Sequence, residues 1–395
     1  MSEVSFEDMK FDGNIVKLLR NFSLELPDGE LKKIGEYETK KGSIFFDGVS
    51  EKKARNKLLQ LIEREIHNLR NDITGHSAVY VHRNSGIPLI GSAAFGIVDR
   101  NSSMIEVKPV TGCNMNCLFC SVDEGISSKK VNDFVVEEAY LVEECRKLVE
   151  FKGIPCQVAI NAHGEPLIYA PMAELVRDLK AIKGVESISL ITNGTFLTKE
   201  LIDELSDAGL GSLNISMNAF SPEKAKIMQG TAKYDVEKVK EMASYAAAKF
   251  KVILAPVYVQ GYNDSEMNEI VRFAARIGAK TGIQNFLYYP GGRNPAEQLQ
   301  MDKFYANLRQ LEGETGEKLI VDGSDFGIEA SKPLQKPFSK GKVVRARIAC
   351  DGRLPGEKIG AAKGRVITIP NCTREGMVSV KITRDKHNIF YGKAL

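Results

Sequence analysis

Three of the chain's seven cysteines fall within one short stretch, GCNMNCLFC (112–120), as Cys113, Cys117 and Cys120. Thiolates are soft ligands, and three at Cys-x3-Cys-x2-Cys spacing can hold three irons of a four-iron cluster, whose all-protein ligation takes four. No other cysteine lies near enough in sequence to close the set: Cys145 falls in a predicted helix and Cys156 at a predicted strand start. An iron without a protein ligand is open to one brought by a substrate or cofactor. A zinc site is the competing reading, and only His163 offers it a fourth ligand at a neighbouring strand end.

These residues need a scaffold, and the sequence supplies one from about Ile105 onward. Short apolar strands (IEVKPV, PCQVAIN, SISLITN, SLNISMN, KVILAPVYV, TGIQNFLYY) alternate with amphipathic helices predicted over 134–151, 171–183, 198–208, 235–249 and 265–277. Such alternation implies a parallel sheet with helices packed outside it, and ligand-binding residues at the carboxyl ends of its strands. The cysteines follow the first of these strands, where a strand-to-helix loop belongs.

With Phe119 before its last cysteine, the triad resembles the signature of the radical S-adenosylmethionine (radical SAM) superfamily. The resemblance implies that Cys113, Cys117 and Cys120 hold a [4Fe–4S] cluster whose open iron chelates SAM. Reductive cleavage then gives methionine and a 5′-deoxyadenosyl radical that abstracts hydrogen from a substrate. It also places the backbone around Phe119 near adenine and implies a reductant such as ferredoxin or flavodoxin. AHGEPL resembles the family's Gly-Gly-Glu-Pro, with His163 in place of the first Gly and with Gly164 and Glu165 in register. Glu165 would accept hydrogen bonds from the methionyl ammonium. His163 is a candidate catalytic proton donor or substrate contact, against the plainer reading of a packed, hydrogen-bonded histidine.

Later strand ends fit the same plan. ITNGTFL carries Asn193, Gly194 and Thr195 like the family's Thr-Asn-Gly, the plain alternative being a turn into a helix capped by Thr198. Ser216 and Asn218 in NISMN stand where family members contact the ribose and carboxylate of SAM. Asn263 and Asp264 either bind or cap the next helix. The backbone from Gln284 to Phe286 would face adenine, and Arg293, beside a glycine pair, would bind a phosphate or carboxylate. Tyr258, Tyr262, Tyr288 and Tyr289 lie where a substrate radical is quenched or positioned, or are rim residues. The resemblance covers residues 105 to 295.

The expected architecture is α/β: a partial (β/α)6 TIM-type barrel (105–328) between an N-terminal α+β region (1–104) and a small C-terminal all-β barrel (342–395). Residues 329–341 read as a linker. The net charge is +3, yet residues 336–395 carry eight Lys and six Arg against two Asp and two Glu. A basic tail on a mildly acidic body points to a polyanion. KGRVITIPNCTREGMVSVKITRDKHNIFYGKA resembles a TRAM domain, a small OB-like RNA-binding barrel. That resemblance puts Arg345, Arg347, Lys363, Arg365, Lys381, Arg384 and Lys386 on a phosphate-tracking surface. Phe390 and Tyr391 either stack bases or fill the barrel's core.

The expected substrate is therefore RNA, tRNA foremost and rRNA next. The rival is radical SAM chemistry on a peptide, protein or small nucleotide-like metabolite, and a non-catalytic RNA-binding protein is a third reading. The first 112 residues hold no cysteine, and Cys145, Cys156, Cys350 and Cys372 are scattered, which weighs against a second cluster. A methyl-carrying Cys350 or Cys372 competes with the plainer reading of structural thiols. No run approaches the ~20 apolar residues of a membrane span, and the polar, acidic start does not read as a secretory signal. The expected compartment is the cytoplasm, where clustered thiols bind metal more often than they pair.

Overall fold

The computed structural model describes residues 1–6, 8–321 and 327–395, so 322–326 of the expected barrel domain lies outside the described residues. Near the N-terminus a meander of β1 (Met9–Asp12), β2 (Ile15–Leu18) and β3 (Phe22–Glu25) precedes the amphipathic α1 (Glu51–Glu65), β4 (Arg70–Asn71) and β5 (Ser77–Val81). Leu58, Leu61 and Ile62 of α1 are buried, at the helical spacing that the sequence shows. Next come β6 (Gly96–Asp99), β7 (Met104–Lys108) and β8 (Asn132–Val136). β8 does not join the barrel. It pairs in parallel with β5 and completes a six-stranded sheet with the N-terminal meander.

The predicted helix over 134–151 is thereby divided: its first residues are strand, and α2 runs from Glu138 to Lys152. The apolar pattern continues unbroken from Phe134 into the helix, so only pairing with β5 separates the two. The remaining units follow expectation, with one unpredicted helix (α5): β9 (Cys156–Ile160), α3 (Met172–Lys180), β10 (Val185–Thr192), α4 (Lys199–Asp207), β11 (Ser212–Ile215), α5 (Pro222–Gln229), α6 (Val236–Ala247), β12 (Lys251–Leu254), α7 (Met267–Arg276) and β13 (Lys280–Thr281). Strands β7, β9, β10, β11, β12 and β13 are parallel neighbours in that order, the partial (β/α)6 TIM-type barrel, with β6 antiparallel on the β7 edge. Two short parallel ladders extend the carboxyl ends: Thr111–Gly112 with His163–Gly164, and Val257–Tyr258 with Gln284–Asn285. A last helix, α8 (Met301–Thr315), follows.

The linker is strapped down rather than loose. Ser103 N–H donates to the Glu329 carbonyl at 2.7 Å, and the buried Lys152 ammonium reaches Asp99 at 2.8 Å and the Ser331 hydroxyl at 2.7 Å. Beyond it β14 (Val343–Asp351), β15 (Lys358–Ala362), β16 (Arg365–Ile369), β17 (Met377–Arg384) and β18 (Tyr391–Ala394) close into a five-stranded barrel. Alternation along β14 turns Ala346 and Ile348 inward and Arg345 and Arg347 outward. This barrel is fused to the body. Val366 N–H donates to the Ile90 carbonyl at 2.8 Å and Phe390 N–H to the Gly91 carbonyl at 2.9 Å, while Ile359 and Val366 pack into the main core. Gly91 (φ +132°) permits the approach, since a Cβ there would stand 2.2 Å from the Val366 carbonyl oxygen. No helix among the described residues is long and apolar enough to cross a membrane.

Candidate active site

The cysteine loop leaves the end of Thr111–Gly112 and is held by its neighbours. Asn116 N–H donates to the Gln229 carbonyl at 3.0 Å and Leu118 N–H to the Met228 carbonyl at 3.2 Å, so the carboxyl end of α5 carries the loop's middle. Gly230 (φ +62°) ends α5, and a Cβ there would lie 2.0 Å from the Asn116 oxygen. Arg293 clamps the far side: Nη1 donates to the Cys117 carbonyl at 2.7 Å, Nη2 to the Glu124 carbonyl, and Nε to Asp123 at 2.9 Å. The arginine expected to bind a phosphate or carboxylate is thus spent on the loop.

The three thiols are half-buried and face one cavity of about 300 Å³. Met115 N–H points at the Cys113 sulfur (3.4 Å) and Glu124 N–H at the Cys120 sulfur (3.3 Å), while Cys117 donates to the buried Gln229 amide oxygen. Burial, then the neighbouring Cys117 charge, raises the Cys113 thiol well above its ordinary pKa; burial and the Cys120 charge push Cys117 up to about 12. Three thiolates so close are stable only against added positive charge, which iron supplies. The loop's N–H groups already point at sulfur, as donors to cluster thiolates do. Among the described residues no three His, Cys, Asp or Glu side chains are gathered for a single ion. The donor set fits a [4Fe–4S] cluster.

The same cavity is lined by Phe119, Gly164, Glu165, Asn193, Ser216, Asn218, Gln284 and Phe286, from the ends of successive strands. Glu165 is buried and accepts from Leu167 N–H (3.0 Å), Asn193 N–H (2.7 Å) and the Thr192 hydroxyl (2.6 Å). Burial nonetheless pushes its carboxyl up to about 7, since none of these donors carries a charge. It has no cationic partner among the described residues. Asn193 also works on the loop, donating to Asn114 at 2.9 Å, while Asn114 donates to Thr195 at 2.8 Å. Thr198 caps α4 through Leu201 N–H, as expected.

Several candidates also make bonds within the fold. Asn218 accepts from Val257 N–H, and the buried Asn263 donates to the Asn218 and Val257 carbonyls, pinning one strand end to the next. Asp264 accepts from Gly261 N–H and the Tyr258 hydroxyl, and Tyr262 donates to the Pro295 carbonyl. Tyr288 and Tyr289 are exposed, with Tyr289 on the rim of the cavity.

His163 does not face this cavity. It lines a second one, of about 590 Å³, between the cysteine loop and the C-terminal barrel, with Ser121 and Val122 common to both walls. Burial, then the charges of Lys108, Arg353 and Lys130, hold its pKa well below the ordinary value, so it is neutral and able to accept as well as donate.

Nothing in the sequence singles out Arg353. It projects from the C-terminal barrel, is buried, and binds both Glu124 oxygens, Asp133 (2.7 Å) and the Asn132 carbonyl (3.2 Å). Asp133 in turn accepts from Thr74 and Thr111. Burial alone would raise Asp133, but the His76 hydrogen bond, the Arg353 charge and Thr74 hold it down at about 2. One arginine thus ties the C-terminal barrel to β8 and to Glu124, four residues past Cys120.

Of the seven cations expected on the barrel's surface, all but the half-buried Arg365 are exposed: Arg345, Arg347, Lys363, Lys381, Arg384 and Lys386. Lys381 stands opposite Lys393 across β17 and β18 and opposite Val343 across β14 and β17, next to Arg345 two residues along. Arg347 donates to the Gly86 carbonyl and the half-buried Arg365 to those of Gly364 and Gln335, so neither is free. Phe390 is in the core, and Tyr391 lines the second cavity beneath Arg384. Cys372 is buried in the small barrel, and Cys350 is half-buried there, away from both cavities.

A family model described as the radical SAM superfamily matches residues 107–274. An uncharacterised protein of Methanocaldococcus jannaschii is 37% identical over 385 residues, 88% of this chain and 88% of its own length. GTP 3′,8-cyclase of Syntrophomonas wolfei is 30% identical over 274 residues, 65% of this chain and 81% of that protein. The solved structure of TYW1 with a lysine–pyruvate adduct is 17% identical, spans 82% of this chain and 92% of its own, and superposes with a TM-score of 0.44.

Proposed function

The chain belongs to the radical SAM superfamily, and from that premise we propose that it modifies RNA, tRNA foremost. Its cofactors are a [4Fe–4S] cluster and SAM, which together supply a 5′-deoxyadenosyl radical on one-electron reduction by a donor such as ferredoxin or flavodoxin. Cys113, Cys117 and Cys120 would hold the cluster, and Glu165 would take the methionyl ammonium of SAM. Ser216, Asn218, Phe119, Gly164, Asn193 and the Gln284–Phe286 backbone would wall the rest of SAM. His163, neutral and turned towards the second cavity, would serve the substrate there.

The observation that carries the RNA reading is the outer face of the C-terminal barrel. Arg345, Lys363, Lys381, Lys386 and Lys393 are exposed there. No ion pair is found for any of them among the described residues. A row of open cations on a TRAM-like barrel suits a phosphate backbone, whose binding falls steeply with salt. Deleting residues 336–395 would be a poor test, because Ile359, Val366 and Arg353 belong to the body's own packing. Comparing nucleosides by mass spectrometry of total tRNA and rRNA, with and without the gene, tests the reading directly. A missing nucleoside or an accumulated precursor is expected, and an unchanged profile rejects it.

A nucleotide-like metabolite is the second reading, favoured by the 30% identity to a GTP 3′,8-cyclase. It predicts that purified enzyme with SAM and reductant converts a free nucleotide in the absence of RNA.

A further inference from the structure

The second cavity has features that SAM binding does not use. Except for Lys129 at its margin, its cations are already matched: Arg353 with Glu124 and Asp133, Arg293 with Asp123, and Lys130 with the Val122 and Asp123 carbonyls. Glu357 accepts from Arg353 N–H at 2.8 Å. What remains unspent on the wall is neutral. The His163 ring and the hydroxyls of Thr368 and Tyr391 make no side-chain hydrogen bond among the described residues. Thr368 and Tyr391 come from β16 and β18, which pair directly at these two positions, and His163 from the main barrel, so they face a ligand from two sides. Beneath them Phe95 and Phe134 stack with centroids 4.3 Å apart, giving an apolar floor. Lys129 is the exposed cation at the margin, with no ion pair of its own among the described residues.

A free anion would find no open positive charge inside this cavity. A purely apolar ligand would leave three hydrogen-bonding groups unmet, each at a cost. The pattern suits a flat, uncharged group with donors and acceptors on its edge, and the volume of about 590 Å³ exceeds what such a ring system needs. We propose that this cavity is a nucleobase chamber, in which His163, Thr368 and Tyr391 hydrogen-bond the edge of the base while its phosphate stays outside, towards Lys129. The inference rests on the RNA reading only for the base's source, since a free nucleoside has the same edge. It gives the C-terminal barrel a share in the substrate site, beyond any role in docking. Ser121 and Val122, common to both cavities, make the chamber the immediate neighbour of the cofactor's.

Equilibrium dialysis of the reconstituted holoenzyme against each of the four ribonucleosides tests this, with N-acetyl amino-acid amides as a parallel panel. At least one nucleoside should be retained, with an affinity that does not change between low and high salt. H163A should lower it tenfold or more. T368V and Y391F, which remove a hydroxyl without adding bulk, should each lower it about threefold to tenfold. Thermal melting of each variant identifies any that fail to fold, and agreement among the three then carries the result. Retention of no nucleoside, retention of amides instead, or nucleoside binding indifferent to all three folded variants overturns the chamber. The base's source is read separately, from salt-dependent binding of unmodified tRNA. Nucleoside retention without tRNA binding keeps the chamber and removes the RNA reading; tRNA binding without nucleoside retention does the reverse.

Discussion

The small C-terminal barrel handles charge in opposite ways on its two sides. Inward, Arg353 is buried and its guanidinium is paired with Glu124 and Asp133. Outward, Arg345, Lys381 and Lys393 stand in solvent with no acid beside them among the described residues. Counted along the sequence these arginines and lysines are one basic excess. In space they divide into a charge that holds this protein together and charges left open to solvent. Burial decides which is which, because a buried ion must be paired within the chain, whereas a solvated one is stable alone.

The largest effect should come from breaking the inward pair. R353M leaves Glu124 and Asp133 buried without their cation, which typically costs about 3–5 kcal/mol. We expect a melting temperature lower by many degrees and a fall in iron bound after reconstitution, because Glu124 lies four residues past Cys120 and its N–H points at that sulfur. R353K keeps the charge but loses the fork and should fall between the two. An R353M protein with wild-type melting and iron content would show the latch to be dispensable.

Glu165 lies between the two cases: buried, supplied with three neutral donors, and short of a counter-charge. Its carboxyl sits at about 7 against an ordinary 4.5, so the fold favours the protonated form. Stability from this group is complete below pH ~4.5 and is lost as pH rises through 7. If Glu165 takes the methionyl ammonium, as proposed, SAM binding runs the other way, since the ammonium needs the carboxylate. Its affinity should climb between pH ~6 and ~8 and then level off. E165Q should bind SAM at least about tenfold more weakly and show a flatter pH profile. Calorimetric titration at several pH values across that range would expose a flat wild-type profile, which would remove Glu165 from the ammonium.

What the sequence discloses follows the same division between local and distant partners. Cys113, Cys117, Cys120, Glu165 and Asn193 sit in short motifs at strand ends, and the alternation of strands and helices brings those ends together. Gln229 and Arg353 have no such signature. Each acts through residues remote in the chain, 112 positions in the case of Cys117 and Gln229. The Gly230 that ends α5 is a local hint that a helix stops there, but not that its end supports the cysteine loop. β8 reads as helix in the sequence because its apolar residues merge with those of α2, and its partner β5 lies in the preceding region. The basic excess of the tail is legible in the sequence, but not which of its cations the fold consumes internally.

The outward face predicts a smaller energy and a sharper signature. R345E, K381E and K393E together should leave the melting temperature within about a degree, as surface changes usually do. The logarithmic dependence of RNA affinity on salt should flatten by about 0.7–0.9 for each phosphate no longer neutralised. A triple variant that binds tRNA with unchanged affinity and slope would leave the open row without a polyanion to serve.

Smallest of all should be the effect on RNA of the two arginines that the fold has claimed, Arg347 and Arg365. Their guanidinium groups donate to the Gly86, Gly364 and Gln335 carbonyls, and Arg365 is half-buried, so a phosphate would have to compete with bonds already made. R347A and R365A should therefore change tRNA affinity less than about twofold while each costs ~0.5–1.5 kcal/mol of stability, the worth of a hydrogen bond. The reverse pattern, with affinity falling as far as in K381E and stability untouched, would mean that these carbonyl bonds are given up on binding. The division between claimed and open charge would then hold only for the buried Arg353.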